Sequence, residues 1–152
     1  MHILRGHQED YITVYVGTHN AGFNQELYYD KFFTELEFNR KIKESPYAAN
    51  FPTLFASGFW NDLPDRRMLI YENLGKKLPV KKCEIDEVYE TIKERLQELH
   101  SLGIIHCKVG LPNIHVSQTG KASLVGLGNS CFSNDAELQN LDFENLAYCL
   151  DA

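Results

Sequence analysis

The chain predicts an α+β fold in one domain, and three observations carry that prediction. Two long stretches, Gln25 to Lys43 and Ile85 to Leu99, repeat apolar residues at helical spacing. Short β-branched and aromatic runs stand apart from them, bounded by turn residues. The length of 152 residues is that of one compact unit able to bury most of its unfolded surface.

Tyr11-Ile-Thr-Val-Tyr-Val16 predicts a strand, and Gly17 to Asn24, rich in glycine and asparagine, predicts the loop after it. Leu27, Phe32, Phe33, Leu36 and Ile42 then mark a helix that Ser45-Pro46 stops, because proline has no amide hydrogen to continue the ladder. Phe51-Pro-Thr-Leu-Phe-Ala56 and Arg67-Met-Leu-Ile-Tyr71 predict two strands, joined as a hairpin through the turn-forming Asn61-Asp-Leu-Pro-Asp-Arg66. Leu74-Gly75 ends the second strand, and the basic cluster Lys76, Lys77, Lys81 and Lys82 reads as a solvated linker. Ile85, Val88, Tyr89, Ile92, Leu96 and Leu99 form one face of the most regular helix, with Gly103 as its C-terminal cap.

Further along, Ile114-His-Val116 and Ala122-Ser-Leu-Val125 flank Ser117-Gln-Thr-Gly120 and predict a second hairpin. Asn134 or Asp135 can cap a last helix carrying Leu138, Leu141, Leu146, Cys149 and Leu150. The aromatics Phe32, Phe33, Phe38, Phe51, Phe55, Phe59 and Trp60 read as core rather than contact surface. Of these, Phe59 and Trp60, beside the Asn61-Asp62 turn, are the best candidates for an exposed partner surface.

A formal charge of −6 gives no general attraction to phosphate backbones or anionic lipid, so neither nucleic acid nor membrane is expected as a partner. No stretch approaches the roughly 18 consecutive apolar residues of a membrane span, and no leader pattern opens the chain. Cys83, Cys107, Cys131 and Cys149 lie far apart in sequence. With His100, His106 and His115 they fit no zinc spacing, and free thiols in a reducing, cytoplasmic compartment are the simplest account. No metal or cofactor is expected.

The segment around Leu99-His-Ser-Leu-Gly-Ile-Ile-His106 and His106-Cys-Lys-Val-Gly-Leu-Pro-Asn113 resembles the protein-kinase catalytic loop, written H-R-D-L-x-x-x-x-N, in its His, its Asn and the spacing between them. Phe33-Thr-Glu35-Leu-Glu-Phe38 is similar to the kinase regulatory helix around its ion-pairing Glu. Asn50-Phe-Pro-Thr-Leu54 resembles the entry to the fourth strand, and Leu69-Ile-Tyr71-Glu72-Asn-Leu74 the strand that passes a gatekeeper, here Tyr71, into the hinge. Together these landmarks span residues 11–130 in the kinase order. The resemblance implies a truncated protein-kinase-like fold: a small antiparallel N-lobe sheet and regulatory helix over residues 1–73, and a minimal helical C-lobe over 74–152.

Kinase catalysis rests on positioning and charge neutralisation, by a glycine-rich loop, a lysine, two Asp residues and an Asn. By the resemblance, the third-strand lysine falls on Tyr15, the catalytic Asp on Lys108, and the metal-binding Asp of D-F-G on Gly126 in Gly126-Leu-Gly128. Only ten residues with one glycine precede Tyr11, and about 24 follow Gly128, so the phosphate lid and later C-lobe helices are expected to be absent. Removing one transition-state charge typically costs about 3 kcal/mol, and several go together here. His106 is expected to be a structural loop residue, Asn113 to satisfy loop backbone, and Lys108 to face solvent or pair with an acid or carbonyl. Glu35, without its lysine, is expected to be an exposed carboxylate unless it bonds the Tyr15 hydroxyl.

The function this implies is a catalytically inactive pseudokinase acting as a protein-binding module, whether inhibitor, decoy or scaffold, with a kinase or kinase substrate as the expected partner. The alternatives are a nucleotide-binding pseudoenzyme with residual activity and a homodimeric structural protein.

Overall fold

The computed structural model describes residues 11–16, 25–60, 63–72, 74–77 and 82–151, and over these it is a mixed α+β fold with three helices and three small antiparallel sheets. β1 (Tyr11–Val16), β2 (Leu54–Trp60) and β3 (Leu63–Glu72) form the first sheet in the order β1-β3-β2. Its helix, α1 (Gln25–Lys43), has the bounds the periodicity predicts. The Ser45 hydroxyl donates to the Ile42 carbonyl at 2.6 Å and closes the last turn.

The first hairpin is tighter than the turn residues suggest, since β3 begins at Leu63 and takes in Pro64. The register explains the tolerance: β1 pairs with β3 only from Arg67, opposite Val16, so Pro64 lies where β3 has a neighbour on one side. In the middle of the sheet, Leu69 and Tyr71 are buried against Phe32 of α1, with Leu36 and Leu54 packed beside them.

β4 (Lys76–Lys77) corrects the reading of the lysine cluster as linker: its two residues pair with His115 and Val116 of β6 (Ile114–Val116). β6 in turn pairs with β7 (Ala122–Leu124), which is the predicted second hairpin. Lys82 opens α2 (Lys82–Ser101), and Gly103 follows it with φ 76°, the left-handed cap that glycine adopts without strain. A pair of two-residue strands, β5 (Ile104–Ile105) and β8 (Cys131–Phe132), has no sequence signature and is set by tertiary pairing.

The main core forms around α2. Val88, Ile92, Leu96 and Leu99 are buried at the predicted spacing, while Glu87, Glu90, Glu94 and Gln97 face solvent. Each such side chain contributes about 1.5–3 kcal/mol by leaving water. Phe38, Ile42 and Phe51 close the cluster from one side, and Leu146 and Leu150 of α3 (Ala136–Leu150) from another. Asp135 caps α3, its carboxylate accepting from the Glu137 amide at 2.8 Å. Among the described residues no helix is long and apolar enough to cross a membrane.

Two aromatics depart from the expected core. Phe33 is 55% exposed because it sits one residue around α1 from the buried Phe32. Phe55 is 51% exposed because strand alternation turns it away from the face that Leu54 shares with Phe32.

Candidate functional site

The loop from His106 to Asn113 leaves β5 and ends in a 3-10 turn at Leu111–Asn113, directly before β6. Its first residue is fully buried. His106 Nε2 lies 2.8 Å from the Val125 carbonyl and so donates, while Nδ1 accepts from the Lys108 amide at 3.2 Å. Those two bonds define a neutral imidazole protonated on Nε2. Burial, the strongest influence, depresses its pKa and agrees with that state, although the Val125 and Asp142 contacts pull the other way. Both ring nitrogens are thus engaged with backbone groups of the fold.

Asp142, on α3, holds the start of this loop. Its carboxylate accepts from the His106 amide at 2.9 Å, the Cys107 amide at 3.0 Å and His100 Nε2 at 2.9 Å. Burial alone would raise its pKa, but these three donors together hold it below the usual 3.8. The sequence reading missed this residue. The signal was its position four and eight residues before Leu146 and Leu150, which puts an acid on the buried stripe of α3. With the Asp142 bond in place, Cys107 adopts φ 69°, a left-handed conformation uncommon outside glycine.

Lys108 is exposed, the solvent-facing outcome of the two foreseen for it. Asn113 turns inward as expected: its Nδ2 donates to the Lys108 carbonyl at 2.9 Å, and its backbone carbonyl accepts from the Val125 amide at 2.9 Å. The Asn113 amide lies over Gly126, which has φ 82°. A Cβ at that position would overlap the amide, so both the backbone conformation and the available space demand glycine.

Glu35 corrects the expectation of an exposed carboxylate. It is 4% exposed, and its Oε1 accepts from the Leu127 amide at 2.9 Å, linking α1 to the 3-10 turn Leu127–Asn129 that follows Gly126. The reason is helical phase: Phe32, Glu35, Phe38 and Ile42 follow one another at three- and four-residue steps, so Glu35 shares their buried stripe. Burial pushes its pKa up to about 7, partly offset by the Leu127 hydrogen bond. Beside it the buried Tyr71 hydroxyl accepts from Asn39 Nδ2 at 2.9 Å. Burial, and then the Glu35 charge, raise the Tyr71 pKa far above its usual value.

The remaining sequence candidates are placed only by backbone. Tyr15 lies opposite Met68 in the β1–β3 register; its side chain, and any bond from it to Glu35, falls outside the described residues. Phe59 and Trp60 end β2, and their side chains likewise lie outside the description. The structure thus brings Glu35, His106, Asn113 and Gly126 to one site, linked through Val125 and Leu127, with Lys108 at its exposed rim.

Chemically the site offers one amide oxygen, a carboxylate already bonded to backbone, a neutral imidazole with both nitrogens engaged and an exposed ammonium. Among the described residues no three His, Cys, Asp or Glu side chains lie close enough to hold a metal ion. The cysteines are not as dispersed as their numbering suggests, for Cys107 and Cys131 approach to 3.6 Å between sulfurs. No protein-family model matches the chain, and neither does any curated protein.

Proposed function

We propose that the chain is a catalytically inactive, protein-kinase-like module that works by binding another protein. The single observation that carries this reading is the seating of the Asn113 amide over Gly126. In the kinase pattern these positions carry the two metal-binding side chains. Here one has no side chain, and the other bonds the Lys108 carbonyl and fills the space where the first would begin. Lys108 at the place of the catalytic base is a cation, which cannot accept a hydroxyl proton as a carboxylate does.

Support for the kinase-like frame comes from the Glu35 carboxylate reaching the backbone just after Gly126, and from the adjoining loop 106–113. Support for a binding role comes from α3, where Leu138, Leu141 and Tyr148 are all exposed and their spacing sets them on one side of the helix. A kinase or a substrate of one is the partner class that fits the frame.

Isothermal titration with ATP and magnesium, beside a thermal-shift scan, tests the reading. No saturable heat and no shift are expected. Saturable micromolar binding would instead favour a nucleotide-binding pseudoenzyme.

A further inference from the structure

Cys107 and Cys131 lie 24 residues apart in sequence, yet their sulfurs are 3.6 Å apart. Each is placed by a separate restraint. Cys131 sits in β8, paired with Ile105 of β5. Cys107, two residues beyond Ile105, is fixed by its left-handed φ of 69° and by the bond from its amide to Asp142. Cys107 is exposed and Cys131 half-buried, so a small solute reaches the pair from solvent. Closing the sulfurs to the roughly 2.05 Å of a disulfide asks for a movement of about 1.5 Å, within reach of side-chain rotation on a held backbone. Cys149 differs: its thiol donates to the Leu146 carbonyl of its own helix at 3.3 Å.

We propose that Cys107 and Cys131 form a redox-responsive dithiol that hydrogen peroxide oxidises reversibly to an intramolecular disulfide. One sulfur, as thiolate, attacks the peroxide; an S–O bond forms, the O–O bond breaks and hydroxide leaves. The second sulfur attacks the resulting sulfenic sulfur, an S–S bond forms, the S–O bond breaks and a second hydroxide leaves. The two thiol protons convert both hydroxides to water, so two thiols are oxidised as one peroxide is reduced. Although the residue is exposed, partial desolvation of its sulfur and then the Cys131 hydrogen bond push the Cys107 thiol up to about 12, so it holds its proton at neutral pH and the pair is a slow responder that needs sustained oxidant.

The bond would join the start of the 106–113 loop to β8 and enclose the Asn113–Gly126 contact in a covalent loop. That constraint removes unfolded-state freedom and should raise Tm by about 5–10 °C, reversed by dithiothreitol.

The test is hydrogen peroxide treatment of the reduced 152-residue chain, followed by non-reducing peptide mapping. A linked 107–131 peptide as the dominant product, together with the Tm rise, supports the proposal. Oxidation of the two sulfurs separately, or linkage of either to Cys83 or Cys149 with equal yield, overturns it. Cys131→Ser should abolish the link. As a check independent of any variant's folding, the reduced wild-type chain should bind phenylarsine oxide one to one, and prior peroxide treatment should block that binding. Failure of the arsenical to bind the reduced chain would also refute the pairing.

Discussion

Replacing Glu35 by Gln should make the protein more stable at pH 8 and leave it almost unchanged at pH 4.5. The Glu35 carboxyl is pushed from its usual 4.5 up to about 7 by burial, so between those values the folded chain holds a proton that the unfolded chain has released. A group whose folded pKa is raised contributes stability that is fully present below the unfolded value and is lost as pH rises through the folded one. At about 1.4 kcal/mol for each tenfold change in proton affinity, the interval amounts to about 3 kcal/mol. Gln keeps an oxygen for the Leu127 amide and has no charge to desolvate, so the variant escapes the loss.

The assay is urea denaturation of both proteins from pH 4.5 to 8, followed by the fluorescence of the chain's one tryptophan, Trp60. Other titrations, His106 and Asp142 among them, occur in both proteins and cancel in the difference. The stability gap should open by about 3 kcal/mol toward high pH, or about 6–12 °C in Tm. A gap that does not change with pH, or a variant less stable at pH 8, would refute the reasoning. Either result would mean that the Leu127 hydrogen bond outweighs the cost of burying the charge.

Three further outcomes follow from the same geometry. Asp142→Ala leaves the His106 and Cys107 amides without their acceptor and should cost about 3–5 kcal/mol in chemical denaturation. Because the fold holds Asp142 below its usual pKa, its contribution is present above pH 3.8 and lost as pH falls through the folded value, so the variant should also show a flatter acid limb. Gly126→Ala should cost about 2 kcal/mol or more, from the left-handed backbone and the overlap with Asn113. Adding Asn113→Ala should return part of that, which a double-mutant cycle would detect as a coupling of about 0.5 kcal/mol or more. Leu96→Ala, at a fully buried position, should cost about 3 kcal/mol through lost burial and the cavity left behind.

Much of the fold is legible in local pattern. The bounds of α1 follow from five apolar residues and a stop at Ser45-Pro46, and the buried face of α2 follows from its spacing, because both signals sit within a few turns of one helix. The site is less legible, because polarity misleads where burial overrides it. Glu35 reads as solvent-facing by residue type, yet its phase with Phe32 and Phe38 buries it. Asp142 reads as an ordinary helix acid, although Leu146 and Leu150 mark its stripe as the inner one. Nothing in the numbering of Cys107 and Cys131 announces their approach, which depends on the pairing of two strands too short to leave a pattern.

The Asp142 carboxylate is the acceptor for three donors from residues 35 to 42 positions earlier in the chain, and it rides on the terminal helix. If α3 lifts from α2, it strands two loop amides at the same moment that it exposes Leu146 and Leu150. Helix undocking and loop melting are therefore one event, and the amides of β5, the following loop and α3 should exchange with solvent deuterium as a single cooperative class.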